Sequence, residues 1–376
     1  MVNAGLVRQD QPVKIADVRL AQNEIDAVTE VLRSGALREG QGCALFEQEF
    51  AAAVGVRGAC TISNGTAALH AAYLGCVGPG DEVLVPAVSF FATASMVAWT
   101  GATPVFCDID ADSYCIDVED ARKRITPRTR AIAPVHLFGN VADVDAVLQL
   151  AQEHGLAIVW DAAQAHLSRW GERDVGALPG VSCYSFYATK NLTTGEGGMV
   201  TSEDDDVIER VRLLKRQGQA RKYQHTVLGT NYRMTDMQAV IGSQQLRRLP
   251  ELTERRRENA RRYDALLGEL EGVHVPACDA RVYHVYHHYT ITIDPAVVRR
   301  TRDEIVEHLQ SMNIQVGINY PIPLHKQPVF ASTAQPELPR AEKYSECCLS
   351  LPVQPLLEVE QIEYVAAVLR QALGTD

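Results

Sequence analysis

The sequence lacks the patterns that mark several classes of protein. It has nine cysteines, an odd number, and no pair at the CxxC spacing of zinc sites and redox dithiols. No apolar stretch is long enough to cross a membrane, and the first residues contain no apolar core of a secretory signal. We therefore expect a cytoplasmic protein with reduced thiols, no structural metal and no membrane contact.

Positive charge is also scarce. The chain of 376 residues carries 36 lysines and arginines against 47 aspartates and glutamates, a net charge of −11. An acidic chain gains little from the phosphate attraction that drives nucleic-acid binding, so we expect no nucleic-acid partner. Neither GxGxxG nor GxxxxGK[ST] occurs, so neither a dinucleotide fingerprint nor a P-loop is predicted.

Short apolar runs alternate with helical patterns over the first two thirds of the chain. Examples are "RGACTIS" before "NGTAALHAAYLGC" and "DEVLVPA" before "FFATASMVAWTG", followed by "ATPVFCDI", "RAIAPVHLFG", "GLAIVWDAA" and "GVSCYSFY". Continuous apolar strands between helices indicate a mainly parallel sheet buried on both faces. Ligands of such sheets bind beyond the carboxyl ends of the strands.

The character of the sequence changes near residue 246. A charged helical stretch with a break or kink expected at Pro250 leads to the strand-like "HVYHHYTITID". Thr301 and Glu304 then stand at the spacing of a helix capping box. We predict two domains: residues 1–245, an N-terminal segment and a large α/β domain, and residues 246–376, the connecting helix and a small α+β domain.

Three sites on the predicted large domain carry residues suited to chemistry. Asp161 ends an apolar strand, Gly65 and Thr66 open a helix where an anion can bind, and Ser185 and Lys190 share a turn before "GEGG". Each has an ordinary alternative. Asp161 could cap a helix or bind Mg²⁺, the glycine could belong to a simple turn, and the lysine could be a solvated surface charge.

Two other clusters contain residue types that often bind metal ions. His284, His287 and His288 lie in a strand-like run, where residues three apart face opposite sides, so we favour packing or substrate contact over a metal. Asp108 and Asp110 begin an approximate EF-hand pattern, but the preceding segment is a strand and the required glycine is absent. We expect a polar turn there.

Taken in order, the motifs resemble one enzyme family over nearly the whole chain. They are "NGTAALHAA", "GDEVLVPAVSFFATA", "GATPVFCDID", "APVHLFGN", "DAAQAH", "SFYATKNLTTGEGG", "GTNYRMTDMQA" and "YPIPLHKQP". They resemble the DegT/DnrJ/EryC1/StrS family of sugar aminotransferases, which use pyridoxal 5'-phosphate. The resemblance implies the type I (aspartate aminotransferase) fold, with a mainly parallel sheet, helices on both faces and a smaller α+β C-terminal domain. It also implies a homodimer with shared active sites.

By match of position, the resemblance assigns roles to ten residues. Lys190 would form the Schiff base with the cofactor aldehyde, and Asp161 would pair with the ring nitrogen. The other cofactor contacts would be Gly65, Thr66 and Ser185 at the phosphate, Phe90 on the ring face, Gln164 at the ring hydroxyl and Asn231 from the partner subunit. Tyr320 and His325 match positions near the sugar.

The resemblance further implies a transamination in two half-reactions. An amino acid, expected to be L-glutamate, leaves its amine on the cofactor as pyridoxamine 5'-phosphate. A keto-sugar, expected to be a nucleotide-linked 4-keto-6-deoxyhexose, then takes the amine. The stretch "NYRMTD" is similar to that of relatives that aminate carbon 4. The alternatives are a cyclitol ketone as the acceptor, as in aminoglycoside pathways, and a non-catalytic regulator with the same fold.

Three positions depart from the family pattern. Trp160 stands where an acidic residue is common, Leu167 where glycine is common, and Asn319 where histidine is frequent. We expect these departures to bear on the substrate more than on the cofactor.

Overall fold

The computed structural model describes residues 8–331 and 336–374. The predicted domain ranges also include residues 1–7, 332–335 and 375–376, which lie outside the described residues. Within the described residues, no helix combines the length and apolar character needed to cross a membrane.

The helices are α1 (Gln22–Ser34), α2 (Gln41–Val54), α3 (Gly65–Tyr73), α4 (Ala92–Trp99), α5 (Val118–Lys123), α6 (Val144–His154), α7 (Asp205–Lys215), α8 (Asp236–Leu267), α9 (Arg302–Ser311), α10 (Pro339–Cys347) and α11 (Val359–Leu373). The strands are β1 (Gly58–Ile62), β2 (Glu82–Pro86), β3 (Thr103–Cys107), β4 (Thr129–Ile132), β5 (Ala157–Asp161), β6 (Arg169–Trp170), β7 (Arg173–Asp174), β8 (Val181–Ser185), β9 (Gly198–Ser202), β10 (Gln219–Arg221), β11 (Gln224–His225), β12 (Val273–His274), β13 (Val282–Tyr283), β14 (Tyr289–Ile293) and β15 (Cys348–Leu351).

A seven-stranded sheet in the order β1-β9-β8-β5-β4-β2-β3 forms the centre of the large domain. Neighbouring strands from β8 to β3 are parallel, whereas β9 runs antiparallel to both β1 and β8. Every residue of β2 and β9 is buried, because helices including α2, α3, α4 and α7 pack against the sheet. The mainly parallel α/β fold predicted from the apolar runs is confirmed.

The C-terminal part of the chain has its own sheet and its own apolar core. Strands β12, β14 and β15 pair antiparallel, and α9 and α11 pack with them around residues such as Ile291 and Leu351. Helix α9 begins with the predicted capping box: the Thr301 side chain accepts from the Glu304 amide, and the Glu304 carboxylate accepts from the Thr301 amide. Val13, from the N-terminal segment, also packs in this second core.

Helix α8 joins the two cores. Ala239 and Leu249 belong to the apolar core of the large sheet, and Tyr263 and Leu267 belong to the second core. The helix continues through Pro250, so the break expected there is absent. Packing at both ends of the helix outweighs the hydrogen bond that a proline cannot donate. The domain boundary proposed after residue 245 falls within this helix, and the division stays a prediction.

A buried ion cluster fixes the N-terminal segment, α2 and α7 against the edge strand β1. The side chain of Lys215 is 0% exposed, and its ammonium lies 2.7 Å from Glu39 and 3.2 Å from Glu47. The same nitrogen donates to the carbonyl oxygen of Thr61 at 2.6 Å. Burial disfavours the charged amine, but the acidic groups around it raise the pKa of Lys215 above its ordinary value. Lys215 is therefore a charged structural residue.

We predict that Lys215→Met lowers the free energy of unfolding by about 3 kcal/mol, because Glu39 and Glu47 lose the buried cation between them and keep only the more exposed Arg216 and Arg212. Urea unfolding at one fixed protein concentration measures this loss. The matched control is Arg33→Met, which removes an exposed ion pair with Glu30 and should cost less than about 1 kcal/mol. Equal losses in the two variants contradict the prediction.

Candidate active site

A cavity of about 570 Å³ lies at the carboxyl ends of strands of the central sheet, where ligands of parallel sheets bind. Turns that follow β1, β2, β5 and β8 contribute its walls. It brings together eight of the ten residues singled out in the sequence: Gly65, Thr66, Phe90, Asp161, Gln164, Ser185, Lys190 and Tyr320. The sheet therefore gathers side chains that are up to 255 positions apart in the sequence, from Gly65 to Tyr320.

Asp161 is the last residue of β5 and is only 5% exposed. Its Oδ2 accepts a hydrogen bond from the Thr93 hydroxyl at 2.7 Å, and its Oδ1 accepts from the Ala163 amide at 3.1 Å. Burial raises the pKa of this carboxyl, while the two donors and the charge of Lys190 act in the opposite direction. The next element in the chain is a strand, so the helix-cap interpretation of Asp161 is not supported.

Lys190 lies in the turn after β8, where its amide donates to the carbonyl of Tyr187 at 2.9 Å. Its side chain is partly buried and lines the cavity. Burial lowers the pKa of Lys190 to about 8, although the carboxylate of Asp161 favours the charged form. A solvated lysine keeps a pKa above 10. The surface-charge interpretation is therefore not supported, and about a tenth of this amine is neutral at pH 7.

The turn between β1 and α3 has the features of an anion site. The Asn64 side chain caps α3 by accepting from the Ala67 amide at 2.8 Å. Within the described part of the chain, the amides of Gly65 and Thr66 have no acceptor. A Cβ on Gly65 would lie 2.7 Å from the Cβ of Ser185, so only glycine lets the helix start approach the end of β8 so closely. Free amides, the helix N-terminus and a serine hydroxyl together suit a phosphate.

In the "GEGG" turn, three of the four positions are glycine, and Glu196 is the one residue of the turn that has a side chain. Gly195 has φ +79°, a conformation that favours glycine. A Cβ on Gly197 would lie 2.2 Å from the Thr194 hydroxyl, and one on Gly198 would lie 2.7 Å from the backbone of Asn64. The remaining side chain, Glu196, is exposed and lines the cavity.

Three other predicted residues form the wall beside Asp161. The Gln164 side-chain oxygen accepts from the Phe138 amide at 2.7 Å, and its nitrogen donates to the Tyr320 hydroxyl at 3.0 Å. The ring of Phe90 lies 6.4 Å from that of Tyr320 and is 58% exposed. Gln164 is thus held by two contacts, and Phe90 presents a free aromatic face.

Two predicted residues lie outside this cavity. Asn231 is exposed, and its backbone pairs with that of Arg216. His325 is 1% exposed and donates from Nε2 to a Glu342 carboxylate oxygen at 3.1 Å. Its ring also packs near Phe106. Their roles at a partner's phosphate and at the sugar stay predictions.

The histidines and aspartates considered above as possible metal ligands line the cavity or form hydrogen bonds within the protein. His287 and His288 line the cavity, and His287 donates from Nδ1 to the Asn191 side-chain oxygen at 3.2 Å. Burial lowers the pKa of His288 to about 3, so its ring is neutral. Asp110 accepts from the Ser113 amide at 2.8 Å in a polar turn. In the described ranges, no three acidic, histidine or cysteine side chains form a metal-binding group.

The sequence interpretation missed Thr93 and Ser89 next to the cavity. Ser89 lines it, and the Ser89 and Thr93 hydroxyls are 2.8 Å apart. Ser89 precedes α4 and Thr93 lies on it, so no helical or strand periodicity in the sequence links the two hydroxyls.

The three departures from the family pattern have different surroundings. Trp160 is 0% exposed, stacks on His136 with ring centroids 5.2 Å apart, and packs in the core. Leu167 has φ +63°, which explains in physical terms why glycine suits this position. Asn319 lines the cavity and donates to the Ser350 hydroxyl at 3.2 Å. Of the three, Asn319 is therefore placed to affect the substrate.

Comparison with known proteins gives matches over nearly the full chain. The DegT/DnrJ/EryC1/StrS aminotransferase family matches residues 18–370. A pleiotropic regulatory protein of Geobacillus stearothermophilus is 42% identical over 343 residues, which are 89% of this chain and 90% of that protein. The dTDP-3-amino-3,4,6-trideoxy-alpha-D-glucose transaminase of Streptomyces venezuelae is 39% identical over 368 residues, which are 96% of each chain.

The solved structures include close matches in fold. The crystal structure of S. venezuelae DesV in complex with a ketimine intermediate matches with a TM-score of 0.89 at 40% identity, covering 93% of each chain. The fold expected of these aminotransferases is thus confirmed. The chain belongs to the DegT/DnrJ/EryC1/StrS aminotransferase family, and it is an aminotransferase.

Proposed function

We propose that this aminotransferase uses pyridoxal 5'-phosphate to move the amine of L-glutamate to a nucleotide-linked 4-keto-6-deoxyhexose. One observation carries the proposal. A lysine amine with a pKa of about 8 and a buried, hydrogen-bonded carboxylate share one cavity beside an anion-binding turn. This combination supplies a base, a partner for a cationic ring and an anchor for a phosphate.

The residues around the cavity fit pyridoxal 5'-phosphate. The free amides of Gly65 and Thr66 and the hydroxyl of Ser185 suit its phosphate. The carboxylate of Asp161 suits a protonated ring nitrogen. The remaining contacts that we propose are Phe90 on the ring face, Gln164 at the ring hydroxyl, Lys190 at the aldehyde, and Asn231 from a partner subunit at the phosphate.

When bound, the cofactor supplies an aldehyde that takes up an amine and a ring that accepts the electron pair left by a departing proton. Asp161 would hold the ring nitrogen in its protonated form, which would make the ring a stronger electron acceptor. Lys190 would hold the cofactor aldehyde, and its amine would be free once the donor's amine had taken its place. The neutral Nζ of Lys190 then removes the proton from the donor's α-carbon. In the second half-reaction, Nζ delivers a proton to the acceptor carbon that receives the amine.

Lys190 can act as a base only while it is neutral. Its lowered pKa meets this condition near pH 8, because burial makes the ammonium form unfavourable. The neighbouring His288 is neutral because burial lowers its pKa to about 3. Asp161 therefore provides the fixed negative charge, and Lys190 provides the mobile proton carrier.

The acceptor is a finer proposal with its own support. The S. venezuelae relative is named for a dTDP-linked amino sugar, which favours a nucleotide-linked hexose over a free cyclitol. That name places the amine on carbon 3, whereas the stretch from Asn231 to Arg233 is our reason for preferring carbon 4. The exposed carboxylate of Glu196 in the cavity offers an acceptor to sugar hydroxyls.

We also propose a cytoplasmic homodimer with shared active sites. Asn231 supports the dimer because it is exposed and lies outside its own cavity. The nine cysteines support a reducing compartment because all are free thiols.

The proposed function is tested by recording the visible absorption of the protein with pyridoxal 5'-phosphate before and after L-glutamate. The cofactor band should fall as an equal amount of 2-oxoglutarate appears. In Lys190→Ala the rate should drop about a thousandfold, because the base is lost. Lys123→Ala, which changes an exposed lysine at the end of α5 that does not line the cavity, is the matched control and should react like the parent protein.

The aminated protein is then mixed with a dTDP-linked 4-keto-6-deoxyhexose or with a cyclitol ketone, and the amine product is identified by mass spectrometry and NMR. We expect the nucleotide sugar to restore the cofactor band and to carry the amine on carbon 4. Turnover of the cyclitol ketone alone contradicts the proposed acceptor. Absence of both the band and 2-oxoglutarate contradicts the cofactor and favours the regulator.

The proton affinity of Lys190 can be measured without cofactor. We predict that acylation of Lys190 in the apoprotein, followed by peptide mass spectrometry, rises with a midpoint near pH 8. In Asp161→Asn the midpoint should fall further, because the carboxylate that favours the ammonium form is gone. If Lys190 is acylated over the same pH range as the exposed lysines of the protein, the account is contradicted.

A further inference from the structure

Two hydroxyl groups form a chain that ends at the carboxylate of Asp161. Ser89 Oγ lies 2.8 Å from Thr93 Oγ1, and Thr93 Oγ1 lies 2.7 Å from Asp161 Oδ2. Ser89 is 3% exposed and Thr93 is 0% exposed, so water does not replace either contact. The chain starts at the wall of the cavity, which Ser89 lines, and runs inward to the end of β5.

The proton positions in this chain follow from the chemistry of its members. An ionised carboxylate can only accept, so Thr93 donates its single hydroxyl proton to Asp161. Thr93 then has no proton left for Ser89, and Ser89 must donate to Thr93. Each donation polarises the next, which strengthens the bond to the carboxylate. Donation from Ser89 to Thr93 and from Thr93 to Asp161 is fixed in this direction only while the carboxyl group of Asp161 is ionised.

We propose that Ser89 and Thr93 form a hydroxyl chain that keeps Asp161 ionised and oriented, which makes Thr93 a positioning residue for the transamination. The inference rests on the proposed function, because Asp161 acts there through its negative charge. Thr93 itself has no access to the cavity contents, since it is fully buried behind Asp161 and Ser89.

The surroundings of Asp161 explain why the chain is needed. Burial raises the pKa of Asp161, and Lys190 is the cation whose charge favours its ionised form. The other titratable groups facing it are Tyr73, Cys183 and Tyr320, and burial raises the pKa of each, so they stay uncharged. Because Lys190 is partly neutral, its charge stabilises the carboxylate of Asp161 only part of the time. The hydrogen bonds from the Thr93 hydroxyl and the Ala163 amide do not depend on the protonation of Lys190.

The test compares Thr93→Val, which removes the donor and keeps the shape, with Thr93→Ser, which keeps the hydroxyl. The matched control is Thr201→Val, which removes another fully buried hydroxyl, one that donates to the Gly176 carbonyl in the same domain. The protonated carboxyl of Asp161 is followed by infrared difference spectroscopy against pH, each apoprotein against its own Asp161→Asn form. The rate of the L-glutamate half-reaction is measured over the same pH range.

We expect the Asp161 carboxyl to protonate at higher pH in Thr93→Val than in the parent protein. The half-reaction should slow by about tenfold to a hundredfold at pH 7, the effect of losing one hydrogen bond to a charged group. The deficit should shrink as pH rises, because Asp161 then ionises without help. The pKa of Lys190 depends on the charge of Asp161, so the infrared titration, and not the rate alone, reports on Asp161 itself. Thr93→Ser and Thr201→Val should resemble the parent protein.

The inference is overturned if Thr93→Val matches Thr201→Val in both the infrared titration and the pH profile. A parent protein that does not react with L-glutamate contradicts the proposed function instead. In that case the infrared titration of the apoproteins still decides whether Thr93 holds the charge of Asp161.

Discussion

A carboxylate that must stay charged inside the protein is the constraint on which the site depends. Asp161 ends a buried strand, where its charge has little water to stabilise it. The Thr93 hydroxyl and the Ala163 amide compensate for that loss. Lys190 experiences the same dry surroundings, which weaken its hold on a proton. The same cavity therefore holds a carboxylate whose charge is stabilised by hydrogen bonds and an amine whose pKa is lowered by burial.

The backbone around this pair is held by close contacts that tolerate little change. Gly198 begins β9 against the backbone of Asn64, and Gly65 begins α3 against Ser185. The antiparallel strand β9 thus fixes the helix start whose amides face the anion site. The buried Lys215 also anchors β1, because its ammonium donates to the carbonyl oxygen of Thr61 in that strand. Under the proposed function, these close contacts would let backbone groups hold the phosphate of the cofactor in a fixed position, which would also position its reactive part.

Much of the fold was predictable, because each apolar run of the large domain is long enough to be a buried strand and each contains one. The strand β9 was not predicted, since its sequence "GMVTS" itself begins with a glycine and directly follows Gly195 and Gly197 of the glycine-rich turn. Lys190 and Asp161 were found because strand ends mark the ligand side of a parallel sheet. Thr93 and Glu196 were missed, because their importance lies in contacts and exposure that no periodicity records. His325 was named from the family match, and its contact with Glu342 outside the cavity is a feature that the sequence did not indicate.

The central claim is that Lys190 is the residue that holds the cofactor. The most direct measurement is reduction of the protein with borohydride in the presence of pyridoxal 5'-phosphate, followed by digestion and mass spectrometry of the peptides. The account predicts that the mass of the reduced cofactor is found on the peptide that contains Lys190, and that prior addition of L-glutamate abolishes this labelling. Labelling of a different lysine, or an active protein in which Lys190 is never labelled, contradicts the account.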